Sequence, residues 1–424
     1  MNIATKSTSK TGWILTEDWT VVGLGTLLIS LLVLGLPISV PSFGWQQPGE
    51  LTAQVFSPKS SGAILAQFGL TYAIALLGTV LMGKPWRATL LGFPVLFILT
   101  VVALLLAGNK TLKDLNLEAV IFSLLIGLTI GNLVKLPDWL RQALATELFV
   151  KIGLVLLGTT IIFGDILKAG SLGLLQALAV VVSVWYFAYW VSKRLKVDEE
   201  LTMMLASAVS ICGVSAAIAT SGAIQGDSKK LSYVISLVLI TAIPMMLIMP
   251  YAAQAMGLSP EVTGAWLGGT IDTSGAVVAA GTLAGEQALK ISTIVKFSQN
   301  VLLGLAAFGI SIYWTYTKNQ SEAARANKPT GAVIWERFPK FVLGFIAASL
   351  LFSFALSAET VDQVKSPLKS LQGLWFALAF TSIGLETRFA DLINADNRRP
   401  LYAFLLAQAF NIVITLVIAY YLFR

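Results

Sequence analysis

Apolar residues in this 424-residue chain are grouped in long runs and do not alternate with polar ones. Runs of about 20 residues, the length that crosses the hydrocarbon layer of a bilayer, lie near 20–41, 62–82, 88–107, 117–134, 148–168, 171–192, 200–224, 229–256, 260–285, 291–316, 338–357, 367–387 and 399–423. They predict an all-α polytopic membrane protein of about 13 transmembrane helices, because an open sheet cannot satisfy its backbone groups in lipid. The segment 260–285 fits least well, being rich in Gly, Ala and Thr. The longest hydrophilic stretch, Lys318 to Pro339, reads as a linker. No stretch has the size of a soluble domain, so the function is expected within the membrane.

Composition agrees: 56% of residues are hydrophobic and 12% charged, against about 25% charged in soluble domains. Mean hydropathy is +0.80. With the N-terminus placed in the cytoplasm and sides alternating, most of the 29 basic residues fall inside, including the loops 193–196, 318–340 and 388–399. This fits the positive-inside rule and a multi-pass protein of a bacterial inner membrane. The net charge of +7 then reflects loop bias, and no nucleic-acid partner is expected. The first apolar run has no small-residue cleavage site and reads as a retained helix.

The chain has no histidine and one cysteine, Cys212. Histidine-based triads, relays and most zinc sites are therefore excluded, as is an intrachain disulfide. No Gly-x-Ser-x-Gly pattern occurs, and an enzyme is not expected. No metal site or cofactor is expected beyond a coupling ion, Na⁺ or H⁺.

Two runs are interrupted by small polar residues around a glycine. One contains Ser210, Cys212, Gly213 and Ser215; the other ends in Thr381, Ser382 and Gly384. Each lies in the fourth of five segments, over 117–256 and 260–424 respectively, which predicts a five-plus-five inverted repeat with two broken crossing helices. The extra segments within 1–116 precede it. Breaks of this kind expose backbone N–H groups at one half-helix start and C=O groups at the other's end. They are a sequence pointer to a transporter's midplane site. The same small residues also suit close helix packing, the reading adopted for Gly127/Gly131, Gly264/Gly268 and Gly281/Gly285.

Ionisable residues inside a membrane are costly and suggest function with a named partner. Asp272 sits among Gly268, Gly275, Ala276 and Ala279. Lys296 lies on a helical stripe with Ser292, Gln299 and Asn300. Asp272 and Lys296 are expected to pair, either as a coupling site or as a structural lock between helices. Gln408, Asn411 and Thr415 form a second polar stripe, expected to hold helices together.

The stretch Ser210-Ile211-Cys212-Gly213-Val214-Ser215-Ala216 resembles the Cys-Gly-x-Ser-Ala motif of the YeiH-like family, whose name associates it with sulfate export. Gly268-Gly269-Thr270-Ile271-Asp272 with Val277 to Gly281, Lys296, and Ser382 to Leu385 fit the same family, over about 110–424. The resemblance implies a secondary transporter related to the bile acid symporter and sodium/proton antiporter superfamily. It implies a core (171–256 and 338–423) moving against a panel (117–168 and 260–316). Family members often carry His where this chain has Asp272, so histidine-dependent coupling does not transfer. The extra N-terminal helices exceed shorter members and suit dimerisation, with a homodimer as the expected partner, or regulation.

The resulting expectation is secondary active transport of a small anion: sulfate, a sulfonate or a related carboxylate. Ser210, Cys212, Gly213, Ser215, Thr381, Ser382 and Gly384 would bind it. Asp272, Lys296, Gln299 and Asn300 would couple it to an ion gradient. The rival is a Na⁺/H⁺ antiporter using Asp272.

Overall fold

The structure is a computed structural model that describes residues 15–114, 119–317, 332–387 and 398–424. Arg388 and the charged residues of the 318–331 linker lie outside the described residues. Seven helices are long and apolar enough to cross a membrane by length and composition. In chain order the helices used below are α1 (Glu17–Val33), α2 (Pro58–Leu81), α3 (Trp86–Ala107), α4 (Ala119–Leu133), α5 (Thr146–Leu157) and α6 (Phe163–Arg194). There follow α7 (Glu199–Ser210), α8 (Val214–Ile224), α9 (Ser228–Ala255), α10 (Pro260–Thr270), α11 (Ser274–Ala284) and α12 (Glu286–Thr317). The last three are α13 (Phe341–Leu350), α14 (Ala358–Glu386) and α15 (Arg399–Phe423). The all-α polytopic architecture is as the hydropathy predicts.

Two of the predicted crossings are re-entrant hairpins. A straight helix from 200 to 227 would separate its ends by about 40 Å at 1.5 Å per residue. Instead Glu200 Oε2 accepts from the Asp227 backbone N–H at 3.2 Å and from Lys230 Nζ at 3.1 Å. Asp198, the N-cap of α7, also meets Lys230 Nζ at 2.8 Å. Helices α7 and α8 therefore enter and leave on one face, turning at Ile211–Gly213. Gly213 has φ +58°, a left-handed conformation open to glycine at little cost.

Helices α10 and α11 repeat the device. A Cβ on Gly264 would lie 2.7 Å from the Ala288 carbonyl oxygen and the Ile291 Cβ, and one on Gly281 would lie 2.8 Å from the Leu289 Cα. Residues 264 and 281 are thus level with each other against α12. A continuous helix would hold them about 25 Å apart. The turn is Ile271–Thr273, and Thr273 caps α11 by accepting from the Ala276 N–H at 3.2 Å. The second interruption is therefore at Asp272, not at Gly384. Helix α14 runs unbroken through Thr381, Ser382 and Gly384 to Glu386.

Gly384 has a packing role. Its Cβ position would lie 2.8 Å from the Gly127 Cα of α4 and 2.7 Å from the Leu124 carbonyl oxygen. That is the close backbone approach small residues permit between membrane helices. The break in 260–424 thus falls in the first segment of that stretch and not in the fourth, which removes the matched-slot basis for the inverted repeat.

The hairpins also settle relative sidedness. Beside the seven long apolar helices, α1, α4, α13 and α14 complete the bundle among the described residues. The face where α1 begins gathers Glu17, Lys84 and Lys151. It also holds the backbone N–H of Lys340, which donates to Asp18 at 2.8 Å. The α7–α8 hairpin opens on this same face, which moves Lys229 and Lys230 there from the opposite side expected by strict alternation. The α10–α11 hairpin opens on the other face, where Glu286 pairs with Lys369 at 2.9 Å.

Candidate functional site

The two hairpins meet tip to tip. A Cβ on Gly213 would sit 3.0 Å from the Asp272 Cβ. Both turns leave carbonyl groups at the ends of α7 and α10 without helical partners, and four polar side chains from two helices supply donors. From α12, Lys296 Nζ donates to the Ile211 carbonyl at 2.8 Å, and Gln299 Nε2 donates to those of Ser210 at 2.9 Å and Gly269 at 3.2 Å. From α15, Asn411 Nδ2 donates to the Val209 and Thr270 carbonyls, each at 3.1 Å, and Gln408 Nε2 donates to Thr270 at 3.2 Å. Thr415 Oγ1 holds Asn411 Oδ1 at 2.8 Å. The α15 stripe is glue, as its spacing suggests, and what it joins are the hairpin tips.

Lys296 is 1% exposed, and Gln299 Oε1 also accepts from its ammonium at 2.8 Å. The expected Asp272–Lys296 contact is absent: Asp272 is 1% exposed and neither carboxylate oxygen has a hydrogen-bond partner. The turn at Ile271–Thr273 carries Asp272 toward Gly213, while Lys296 is taken up by the α7 terminus.

The opposite ends of the turns, the N-termini of α8 and α11, line a cavity of about 520 Å³. Its hairpin wall comprises Cys212, Ser215, Thr273 and Ser274, with Asn300 from α12. Asn300 Nδ2 donates to Ser274 Oγ at 3.3 Å, while its Oδ1 is buried and unpartnered. The rest of the lining holds four carboxylates, Glu17, Asp18, Glu147 and Glu336, and one amine, Lys151, with Phe338 and Phe341. A smaller cavity of about 170 Å³ adjoins it, sharing Glu147, Val214 and Thr273. Helix α8 has no side-chain N-cap, so its first N–H groups and positive dipole end are available to an anion.

Of the residues expected to bind substrate, Cys212 and Ser215 line this cavity, and Gly213 forms the turn between them, packed on Val238 and Asp272. Ser210 is buried and turns its hydroxyl back to the Ala206 carbonyl at 2.8 Å. Thr381 bonds the Ala377 carbonyl at 2.9 Å and Thr100 Oγ1 at 3.1 Å, and Ser382 bonds Leu378 at 2.9 Å. These two hydroxyls, with Gly384, serve helix α14 and its neighbours and lie outside the cavity wall. Asp272, Lys296 and Gln299 form the tip assembly, and Asn300 reaches the cavity. Sequence reasoning missed Thr273, Ser274 and Lys151. The first two adjoin Asp272, a signal that was present once the turn was placed there.

A family model described as conserved hypothetical protein 698 matches residues 91–403. This range takes in both hairpins and omits α1 and α2. A UPF0324 membrane protein of Rhodopirellula baltica is 40% identical over 390 residues, covering 89% of this chain and 71% of that protein. One from Nitratidesulfovibrio vulgaris is 37% identical over 373 residues, and this chain spans 63% of its length. One from Nitrosomonas europaea is 28% identical over 92% of each chain. No solved structure matches. The chain, carrying the Cys212-Gly213 and Asp272 turns within the matched region, belongs to the YeiH-like conserved hypothetical protein 698 family of membrane proteins.

Proposed function

We propose that this protein is a secondary active transporter of a small anion, such as sulfate, a sulfonate or a related carboxylate. The observation that carries the reading is the cavity lined by the α8 and α11 N-termini, beside two re-entrant hairpins whose tips touch in the bundle. Non-helical backbone is tolerated at membrane depth where it is buried in protein or lines a cavity, and opposed half-helix ends suit an ionic ligand. The anion would take the Val214 and Ser215 N–H groups, with the Ser215, Thr273 and Ser274 side chains around it.

The hairpins are tied to one another through Gln299 and Asn411, so in this reading they move together with α6, α9, α12 and α15. Helices α1–α5, α13 and α14 form the scaffold. This division differs from the core (171–256 and 338–423) and panel (117–168 and 260–316) that the family resemblance implies. The face holding Lys84, Lys193, Lys229 and Lys230 is assigned to the cytoplasm of a bacterial inner membrane by the positive-inside rule.

The test is flux in proteoliposomes, scanning inorganic anions, sulfonates and carboxylates with and without H⁺ and Na⁺ gradients. Gradient-driven flux of one anion class is expected; Na⁺/H⁺ exchange independent of any anion would overturn the reading. That second outcome, a cation/proton antiporter, is favoured by one observation. The two unpartnered Asp272 oxygens are the positions a proton or Na⁺ would occupy.

A further inference from the structure

Lys151 is the one cationic side chain among the described residues that line the 520 Å³ cavity. It stands on α5, in the wall that faces the hairpin N-termini, with its side chain 15% exposed. Three carboxylates surround its ammonium: Glu17 at 2.8 Å, Asp18 at 3.0 Å and Glu147 at 3.6 Å. The arrangement is lopsided. Glu17 has a second cation, Lys84, at 3.3 Å, and Asp18 has the Lys340 backbone N–H at 2.8 Å. Both carboxylates therefore keep a donor when Lys151 leaves them.

The other cation at the tips, Lys296, is committed to carbonyl oxygens and to Gln299. Two half-helix N-termini supply partial positive charge from one wall, and Lys151 supplies a full charge from the other. A charge-assisted bond to an oxyanion is about twice as strong as a neutral one.

We propose that Lys151 is the scaffold-side ligand of the transported oxyanion, held in reserve by Glu17 and Asp18 until the anion displaces them. The proposal rests on the anion-transport reading of this cavity and names the residue that recognises the charge. Occupancy of the site would then loosen the contact between α1 and α5. The carboxylates act as a built-in competitor, so an anion must draw on the half-helix N–H groups and the wall hydroxyls as well as on Lys151 to displace them. This favours fully ionised oxyanions over neutral or zwitterionic solutes.

The experiment compares initial rates of radiolabelled sulfate and methanesulfonate flux in proteoliposomes for wild type, Lys151→Gln, Lys151→Arg and the double variant Glu17→Gln/Asp18→Asn. The effects on KM should have opposite signs. Lys151→Gln should raise KM at least tenfold, Lys151→Arg should restore most of the affinity, and the double variant should lower KM severalfold by removing the competitor. If Lys151 were only a structural latch, both removals would impair flux in parallel, and that result overturns the proposal. The double variant decides the matter where Lys151→Gln does not reach the membrane. Wild-type flux with an unchanged KM in every variant sinks the role of Lys151 alone. Absence of anion flux in the wild type sinks the transport reading, and the proposal with it.

Discussion

Gly213→Ala tests the hairpin geometry most directly. The residue sits at φ +58°, and holding a non-glycine residue in a sparsely populated backbone region costs about 1–3 kcal/mol. The new methyl group would also lie 2.6 Å from Val238 Cγ1 and 3.0 Å from the Asp272 Cβ. Overpacking of this kind costs a further ~1–3 kcal/mol. Backbone strain and crowding together predict a loss of about 2–6 kcal/mol, with the tips pushed apart and flux lost. The two parts can be separated. Val238→Ala removes the 2.6 Å contact and leaves the strain and the Asp272 contact. Pairing it with Gly213→Ala should return about 1–3 kcal/mol, read as the coupling term of a double-mutant cycle. The assay is denaturant-induced unfolding in detergent micelles, alongside flux in proteoliposomes. Gly213→Ala within ~0.5 kcal/mol of wild type, the size of an ordinary surface change, with no coupling to Val238, would refute the tip as described.

Other substitutions test separate parts of the site. Gln299→Leu removes the donor to the Ser210 and Gly269 carbonyls; at about 1–3 kcal/mol for each buried acceptor left unpaired, a clear loss of micellar stability is expected, and an unchanged unfolding curve would show those bonds to be dispensable. Asp272→Asn should abolish gradient-driven flux while leaving anion counterflow measurable; intact coupled flux would remove Asp272 from coupling. Thr381→Val and Ser382→Ala should leave the KM for anion within twofold, because both hydroxyls bond their own helix, and a large rise in KM would return them to the site. In a Cys212→Ser background, cysteines at Lys193 and at Lys229 should react with an impermeant thiol reagent from one and the same side. Labelling from opposite sides would show that α7–α8 crosses the membrane.

The helical class and the apolar segments were legible because hydropathy reports burial in lipid directly. It does not report direction. Two half-helices of about a dozen residues and one spanning helix contain the same number of apolar positions, so 200–224 and 260–285 read as crossings. A cue was nevertheless present at the ends of the first. Asp198 and Glu200 precede it and Lys230 follows it, opposite charges that a hairpin brings together and a span keeps apart. Gly384 misled because a glycine that lets two backbones touch looks the same in sequence as one that breaks a helix; only Gly127 on the facing helix distinguishes them. The stripe of Lys296, Gln299 and Asn300 was legible in its spacing. Its partners are backbone carbonyls, which carry no residue identity to read. Lys151 was hidden by position. Near a predicted helix start it looked like a loop charge, and two of its three carboxylate neighbours, Glu17 and Asp18, come from α1, far away in sequence.

The donors that complete the tips have an order in the chain. Val209 and Thr270 are made long before Asn411, the side chain that binds both of their carbonyls. Before those donors are made, tips buried in the bilayer would carry bare peptide groups, at a cost of several kcal/mol for each one left in hydrocarbon. They can settle only when α12 and then α15 arrive. Assembly of the hairpin tips is thus a closing event timed by α15. Until that helix is inserted the hairpins are expected to stay near the interfaces, where water can serve the peptide groups that Gln408 and Asn411 later take over.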